Sequence, residues 1–535
     1  MKEFSNHTRN LNIKKLKENH FDLLIIGGGI LGAGVARDAS MRGLKVALIE
    51  ANDFAFGTSS RSSKLVHGGI RYLENLEFNL VFEALSERAK LFEIAPHLAH
   101  PLRFMVPLFT DSRVGPFKMG LGMILYDVLA LFQTPELHEK LSKAQTLKRM
   151  PIVRKDDLVG SFVYSDGYMD DDRLVHETLR AANEYETCAV NYVRAVRSVI
   201  KNDHVTHVEA EDIFTKEKFM IACDHVVSTV GPWTDLVGPQ LVNDWQTILR
   251  PTKGIHLTLH KDRLPLTSAV VMAAQKSSRI VFAIPRHEMI IIGTTDTDFS
   301  GAPELARVTS DDVTYLLKIA NEYFPGAQLI ESDIISTYVG VRPLVKDDSA
   351  NESKTSREHV ILPDPRGFTF VAGGKYTTYR LISEQIMTQV IQSWPIEKKL
   401  SIHRCQTNSP LNDFTSVENY HLALSQAVSD LDHKLAERYG LEAYELIEKF
   451  GPDQTYWQLE AYQAIYTTMC LNLVDFYTRR VPLMLAERDH GLSLLHEIAA
   501  VFAQELGWTE VQTAEQKKSL TDYIDGELSW RKKLS

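Results

Sequence analysis

The chain has 535 residues, enough for about two to four domains with large apolar cores, so neither disulfides nor a structural metal is needed to hold it together. Hydrophobic residues make up 44% and charged residues 24%, an ordinary soluble balance. The net charge of -10 excludes bulk electrostatic capture of nucleic acid but leaves room for a local basic pocket, and the scattered cysteines Cys188, Cys223, Cys405 and Cys470 form no CxxC pair, which fits a reducing cytosol and argues against a zinc or thioredoxin-like site.

Residues 1–20 are polar, carry Lys14, Lys15 and Lys17 without a secretory-type apolar segment, and read as a frayed terminus. Phe21 to Ile26 is a short apolar run suited to a buried parallel strand; a glycine segment, a helix and a second apolar run, Leu44 to Ile49, complete a βαβ unit. The segment Gly27-Gly28-Gly29-Ile30-Leu31-Gly32 satisfies GxGxxG. Its glycines allow a tight turn, close approach of backbone to a pyrophosphate, and close packing of helix on strand. The helix N-terminus then offers free N–H groups to the phosphates. Glu50 ends the second strand, where a carboxylate accepts hydrogen bonds from ribose hydroxyls. The unit establishes a dinucleotide held by its pyrophosphate; which dinucleotide is not decided by it.

Gly57 to Gly69 is too polar and glycine-rich for a core element. It is either a surface loop or a segment whose small hydroxyl residues approach a large planar cofactor. Apolar residues recur at helical spacing over 78–95. The apolar run Met119 to Phe132 is too short to span a bilayer and contains Asp127. It reads first as a buried helix, with an interfacial helix as the alternative because Arg113 and Lys118 precede it. Asp170, Asp171 and Asp172 read as a solvated helix start, ahead of a helix at 173–186. Strand patterns occupy 192–200, 218–230, 255–259, 280–285 and 289–293, so 250–345 is sheet-rich. Phe368 to Ala372 is a further buried strand, turned by Gly373-Gly374 into a helix from near Thr377. Past about residue 400 the patterns at 417–438, closed by Gly440, and at 459–479 and 490–506 predict a separate helical domain.

The segments GTSSRSSKLVHGGIRYLE (57–74), VVSTVGPWTD (226–235), PTKGIHLTL (251–259), IIGTTDTD (291–298), YVGVRPL (338–344), VAGGKYTTYR (371–380) and LVDFYTRR (473–480) make the chain specific. In order and spacing, over roughly residues 20–510, it resembles the FAD-dependent glycerol-3-phosphate dehydrogenases, within the glycine and D-amino-acid oxidase superfamily. The resemblance implies an α/β protein with a Rossmann-like FAD-binding domain, a mostly antiparallel sheet over the substrate and a helical C-terminal domain. The expected boundaries are a tail at 1–20, a core at 21–400 and a helical domain at 401–535. FAD-binding parts fall at about 21–100, 165–235 and 360–400, and substrate parts at about 101–164 and 236–359.

Such enzymes oxidise sn-glycerol 3-phosphate to dihydroxyacetone phosphate in glycerol catabolism and pass electrons to a membrane quinone. A related branch uses oxygen and carries an insertion for which this chain has no room. The resemblance therefore implies FAD as cofactor, glycerol 3-phosphate and quinone as partners, and a cytoplasmic enzyme peripheral on the inner face of the cell membrane; the charge adds the expectation of no nucleic acid partner, the apolar run Met119 to Phe132 is the docking surface we expect, and a homodimer is left open.

The FAD contacts it implies are Gly27, Gly28, Gly29, Ile30, Gly32, Glu50, Thr58, Ser59, Ser62, Ser63, Lys64, Leu65, His67, Gly68, Gly69, Ala195, Gly231, Gly374 and Thr377. An acidic chain that binds a phosphate needs a local cationic pocket. Arg71, Tyr72, Lys375 and Arg342 fall on the matching segments, and Arg357, in TSREH, is added although its flanks match less well. Alternation in KGIHLTLH sends His256 to the face opposite Ile255, Leu257 and Leu259, which by itself reads as a satisfied histidine on a sheet face; the resemblance makes it the candidate base, and implies Arg342 nearby to lower its pKa and stabilise alkoxide. His256 and His260 would lie ~13 Å apart on a strand, too far to share a metal ion. An amine or amino-acid oxidase is disfavoured by the cations at 71, 342 and 375, and a flavin-binding scaffold or sensor by the presence of His256 and the arginines.

Overall fold

The computed structural model describes residues 2–273, 279–346, 359–405 and 407–534. The apolar run Leu23–Ile26 is buried throughout because helices cover one face of its sheet and a smaller sheet covers the other. It lies inside a six-stranded sheet in the order Val360–Asp364, Phe368–Ala372, Val226–Ser228, Leu23–Ile26, Val46–Ile49, Cys188–Val190. All neighbours are parallel except the outer hairpin of Val360–Asp364 with Phe368–Ala372. The helix Ile30–Met41, which follows the glycine turn, packs on Asp171–Glu184 and Tyr379–Gln392.

A ten-stranded, mostly antiparallel sheet forms the other half of the core. Its strand Thr252–His260 runs between Met289–Gly293 and Ile334–Arg342. Ile255, Leu257 and Leu259 point into the second apolar core, as strand alternation requires. A four-stranded sheet of His20–Phe21, Lys218–Cys223, His204–Asp212 and Val193–Lys201 flanks the first. From Val417 onward the described residues are helical, ending in the helix Glu510–Glu527 and a 3-10 turn. The fold is thus α/β with an FAD-binding type of core, a mixed sheet and a helical C-terminal region.

Several expectations are corrected. The N-terminal segment is not frayed: Asn6–Glu18 is a helix capped by the Ser5 hydroxyl. Its buried face mixes polar Arg9 and Asn12 with apolar Leu16, which explains why no apolar stripe announces it. Buried Arg9 donates to Asp212 at 2.9 Å and Asn12 donates to the Ala189 carbonyl at 3.1 Å. The 218–230 pattern is two strands in different sheets, divided at Asp224 and His225. The 417–438 and 459–479 patterns each break into two helices, because Ser429 and Asn472 cap new ones.

Asp170 and Asp171 are buried, not solvated. Buried carboxylates need charged partners, and Asp170 takes Arg286 and Arg173 while Asp171 takes Lys64. Met119–Phe132 is also not the buried helix first expected. The helix Pro116–Leu129 buries Met123, Tyr126 and Asp127, packs Met119, Leu125 and Leu129 partly against the core and turns Phe117, Leu121, Ile124 and Val128 outward, Phe117 being 82% and Leu121 54% exposed.

Candidate active site

A cavity of about 750 Å³ opens at the ends of Leu23–Ile26 and Val46–Ile49 and runs across to the Thr252–His260 strand. Its size falls within the range of small-molecule and cofactor sites. At the first end the wall is backbone. Gly27 has φ +107°, and a Cβ there would lie 2.8 Å from the Thr229 carbonyl oxygen, so only glycine makes the turn. A Cβ on Gly32 would lie 1.9 Å from the Gly27 carbonyl oxygen, which is how closely the helix sits on the turn.

Glu50 accepts the Gly28 N–H at 2.7 Å and the Asn52 N–H at 2.9 Å while still facing the cavity. Its burial raises the carboxyl pKa. The Ile30 N–H donates to Ser59 Oγ at 3.0 Å, tying the polar loop to the helix N-terminus. This turn, acid and open helix end fit a dinucleotide pyrophosphate and ribose. The loop that follows lies along the cavity at Thr58, Ser59, Ser62, Ser63, Leu65 and His67, faced by Ala195, Gly231, Gly374 and Thr377.

Gly28, Gly32, Lys64, Gly68 and Gly69 stand behind the wall instead of on it. Lys64, at φ +55°, sends its ammonium to Asp171 under the loop. The Gly68 N–H donates to Asp166 at 3.2 Å, and Asp166 also accepts from buried Arg88 at 2.6 Å and from the Tyr126 hydroxyl at 2.7 Å. The His67 N–H reaches Thr377 Oγ1 at 3.3 Å, joining the loop to the turn after Phe368–Ala372.

At the far end the wall is side chain. His256 is buried and stacks on Tyr338, ring centroids 4.6 Å apart. Its Nε2 shares a hydrogen with Ser63 Oγ at 2.8 Å, and its Nδ1 is buried without a hydrogen-bond partner among the described residues. Opposite it on the next strand stands Gly293, where a Cβ would come within 2.2 Å of the imidazole. Burial, then the charges of Arg342 and Lys64, hold the His256 pKa well below the usual 6.5, so the ring is neutral at physiological pH.

Arg342 donates to Asp296 at 2.9 Å and to Thr294 Oγ1 at 2.8 Å. Its guanidinium crosses Gly254, where a Cβ would lie 2.3 Å from Nη2. Lys375 Nζ sits 4.1 Å from the centre of the Tyr72 ring, and both line the cavity. The Arg71 side chain and the whole of Arg357 lie outside the described residues.

Sequence reasoning missed Asp296 and Thr294, which hold Arg342, and Tyr338, which supports His256. They lie inside the IIGTTDTD and YVGVRPL segments, but no local pattern marks a side chain as the partner of one on a neighbouring strand. It also missed Arg61, which lines the cavity within the polar loop.

Comparison with known proteins agrees with this geometry. A family model described as FAD dependent oxidoreductase matches residues 22–380, and one described as the C-terminal domain of alpha-glycerophosphate oxidase matches 391–513. The aerobic glycerol-3-phosphate dehydrogenase of Staphylococcus saprophyticus is 34% identical over 535 residues, covering 96% of each chain. That of Staphylococcus haemolyticus is also 34% identical, again with 96% of each chain covered. The crystal structure of the glycerol-3-phosphate dehydrogenase from Bacillus halodurans complexed with FAD superposes with a TM-score of 0.80 at 27% identity, covering 98% of each chain. Glycine oxidase from Geobacillus kaustophilus, at 19% identity and TM-score 0.55 over 70% of this chain and 96% of its own, shares the core fold. The chain belongs to the FAD-dependent oxidoreductases and, within them, to the aerobic glycerol-3-phosphate dehydrogenase family, with FAD as its cofactor.

Proposed function

We propose that this enzyme oxidises sn-glycerol 3-phosphate to dihydroxyacetone phosphate in glycerol catabolism and that its electrons leave to a membrane quinone. The observation that carries the reading is the lining of the cavity, which brings two cations, Arg342 and Lys375, together with a neutral imidazole, His256. A phosphorylated alcohol has one group for each: an anion for the cations and a hydroxyl proton for the base. FAD, when bound, accepts the two electrons of the oxidation.

The residues divide the remaining work. Arg342, held by Asp296 and Thr294, presents a fixed fork of donors to phosphate or developing alkoxide. Lys375 and Tyr72 line the same cavity, with Arg71 assigned to the same phosphate on the strength of its segment and Arg357 added from the TSREH stretch. His256 takes the hydroxyl proton at Nε2, which it reaches through Ser63 Oγ. The neighbouring charges that depress its pKa also make the imidazolium short-lived, so the base is restored for the next turnover. Gly27, Glu50 and Ser59 hold the pyrophosphate and ribose end. We assign residues 21–400 to the catalytic core and 401–535 to the helical domain.

Quinones are bilayer molecules, and the apolar face of Pro116–Leu129 is where we place the membrane. Phe117, Leu121, Ile124 and Val128 are exposed along one side of this helix, beside exposed Phe78 and Phe82 of the neighbouring helix. From its buried side Tyr126 reaches Asp166, which also holds the Gly68 N–H of the polar loop. Among the described residues no helix is long and apolar enough to cross a membrane, so the contact is peripheral, on the inner face.

The test is reoxidation. Holoenzyme reduced anaerobically by glycerol 3-phosphate should return to the oxidised spectrum much faster with a soluble quinone than with air-saturated buffer. Faster reoxidation by oxygen would make the protein an oxidase.

A further inference from the structure

The segment 50–64 joins the ribose end of the cavity to the His256 end, and helices from beyond residue 470 grip it at two places. Asp53 is buried three residues past Glu50. It accepts from Arg479 Nε at 2.8 Å and from Arg480 Nη1 at 2.7 Å and Nη2 at 2.9 Å. Arg480 also donates to Thr468 Oγ1 at 2.8 Å, and Arg479 pairs with Asp475, so the cluster balances two arginines against two carboxylates. The Arg479 guanidinium lies 5.6 Å from the ring centre of Phe56, which lines the cavity.

Eight residues further along the segment, Arg61 donates to the Tyr523 hydroxyl at 2.6 Å and to Glu527 at 3.1 Å, both on the helix Glu510–Glu527. The Arg61 backbone lies against Gly340, where a Cβ would come within 2.8 Å of its carbonyl oxygen. Between the two grips the segment touches both halves of the site: the Ala55 N–H donates to the Gly28 carbonyl at 3.0 Å, and Thr58 Oγ1 donates to the Val341 carbonyl at 2.6 Å. Arg479, Arg480, Tyr523 and Glu527 themselves do not line the cavity. Tyr523 and Glu527 also lie past residue 513, where the family's C-terminal match ends.

We propose that the C-terminal helices are a clasp on the cofactor segment, so that FAD binding and docking of the C-terminal region are one linked equilibrium. Undocking would leave Asp53 buried without its cations, a strongly unfavourable state that the segment relieves by moving off the cavity wall. Binding that requires the segment in place then favours docking, and docking favours binding by the same factor.

The test uses the full chain. FAD is titrated into stripped wild-type protein and into an E527Q/Y523F double variant, and hydrogen exchange over 473–480 and 519–527 is followed with and without FAD. The linkage predicts slower exchange in both stretches on adding FAD, and a Kd for FAD raised by ~10-fold in the double variant, within the usual range of coupling between sites. Arg480→Met removes a buried partner and is expected to fold poorly; the partly exposed Glu527 and Tyr523 give the milder probe. Unchanged exchange in both stretches would overturn the proposal. So would an unchanged Kd in a double variant that merely melts earlier.

Discussion

The two ends of the cavity are built from different material. The ribose end is backbone: Gly27 at positive φ, the Gly28 N–H on Glu50, the Ile30 N–H on Ser59. The substrate end is side chain, with His256 and Arg342 on adjacent strands and Gly254 and Gly293 clearing space for them. Backbone geometry is set by residues close in sequence. Side-chain geometry is set across strands separated by tens of residues. Substitutions should therefore separate cofactor retention from chemistry.

The largest separation is expected at His256. His256→Asn should lower the rate of flavin reduction by ~10²–10⁴-fold, the usual contribution of a general base, with FAD content unchanged by absorbance. Because Arg342 is one cause of the lowered His256 pKa, Arg342→Met should move the acid limb of kcat to higher pH as well as weaken substrate binding; an acid limb moving down would break the electrostatic account. Next comes Gly254→Ala, whose methyl group would displace the Arg342 guanidinium. A loss of ~10–100-fold in kcat/KM, about 1.4–2.7 kcal/mol, with FAD retained, would show that this glycine serves the substrate end.

That contrast also governs what was legible. The βαβ unit, with glycine turn and Glu50, is readable from periodicity and spacing because its parts lie within thirty residues. His256 facing away from Ile255, Leu257 and Leu259 follows from strand alternation alone. Its pairing with Ser63 and the bracing of Arg342 by Asp296 do not, since nothing local links strands so far apart. The N-terminal helix escaped because its buried face sets Arg9 and Asn12 beside Leu16 and so breaks the apolar stripe. Asp170 and Asp171 looked solvated because their cations, Arg286 and Lys64, come from distant segments. The outward face of Pro116–Leu129 could not be told from a buried one, because the helix is apolar nearly all round.

A smaller effect concerns that face. Replacing Phe117, Leu121 and Ile124 together by serine should weaken sedimentation with lipid vesicles several-fold and leave flavin reduction by substrate unchanged. Loss of reduction would mean that the face serves the site instead of a membrane.

A separate effect, read on stability and not on activity or binding, lies in the cofactor half. Burial lowers the His225 pKa to about 4. Between pH 6.5 and 4 the unfolded chain therefore binds a proton there that the folded chain does not, and stability falls as pH falls through that window. His225→Gln should remove a slope of about 1.4 kcal/mol per pH unit from the acid side of the stability curve. An unchanged slope would place the acid sensitivity elsewhere.

The most direct measurement is the flavin itself. Holoenzyme mixed without oxygen with sn-glycerol 3-phosphate should lose its visible flavin band within the turnover time, while glycerol at the same concentration leaves the band intact because it offers nothing to Arg342 and Lys375. Bleaching by glycerol as fast as by its phosphate, or none by either with the flavin bound, would contradict the assignment of this cavity to a phosphorylated alcohol.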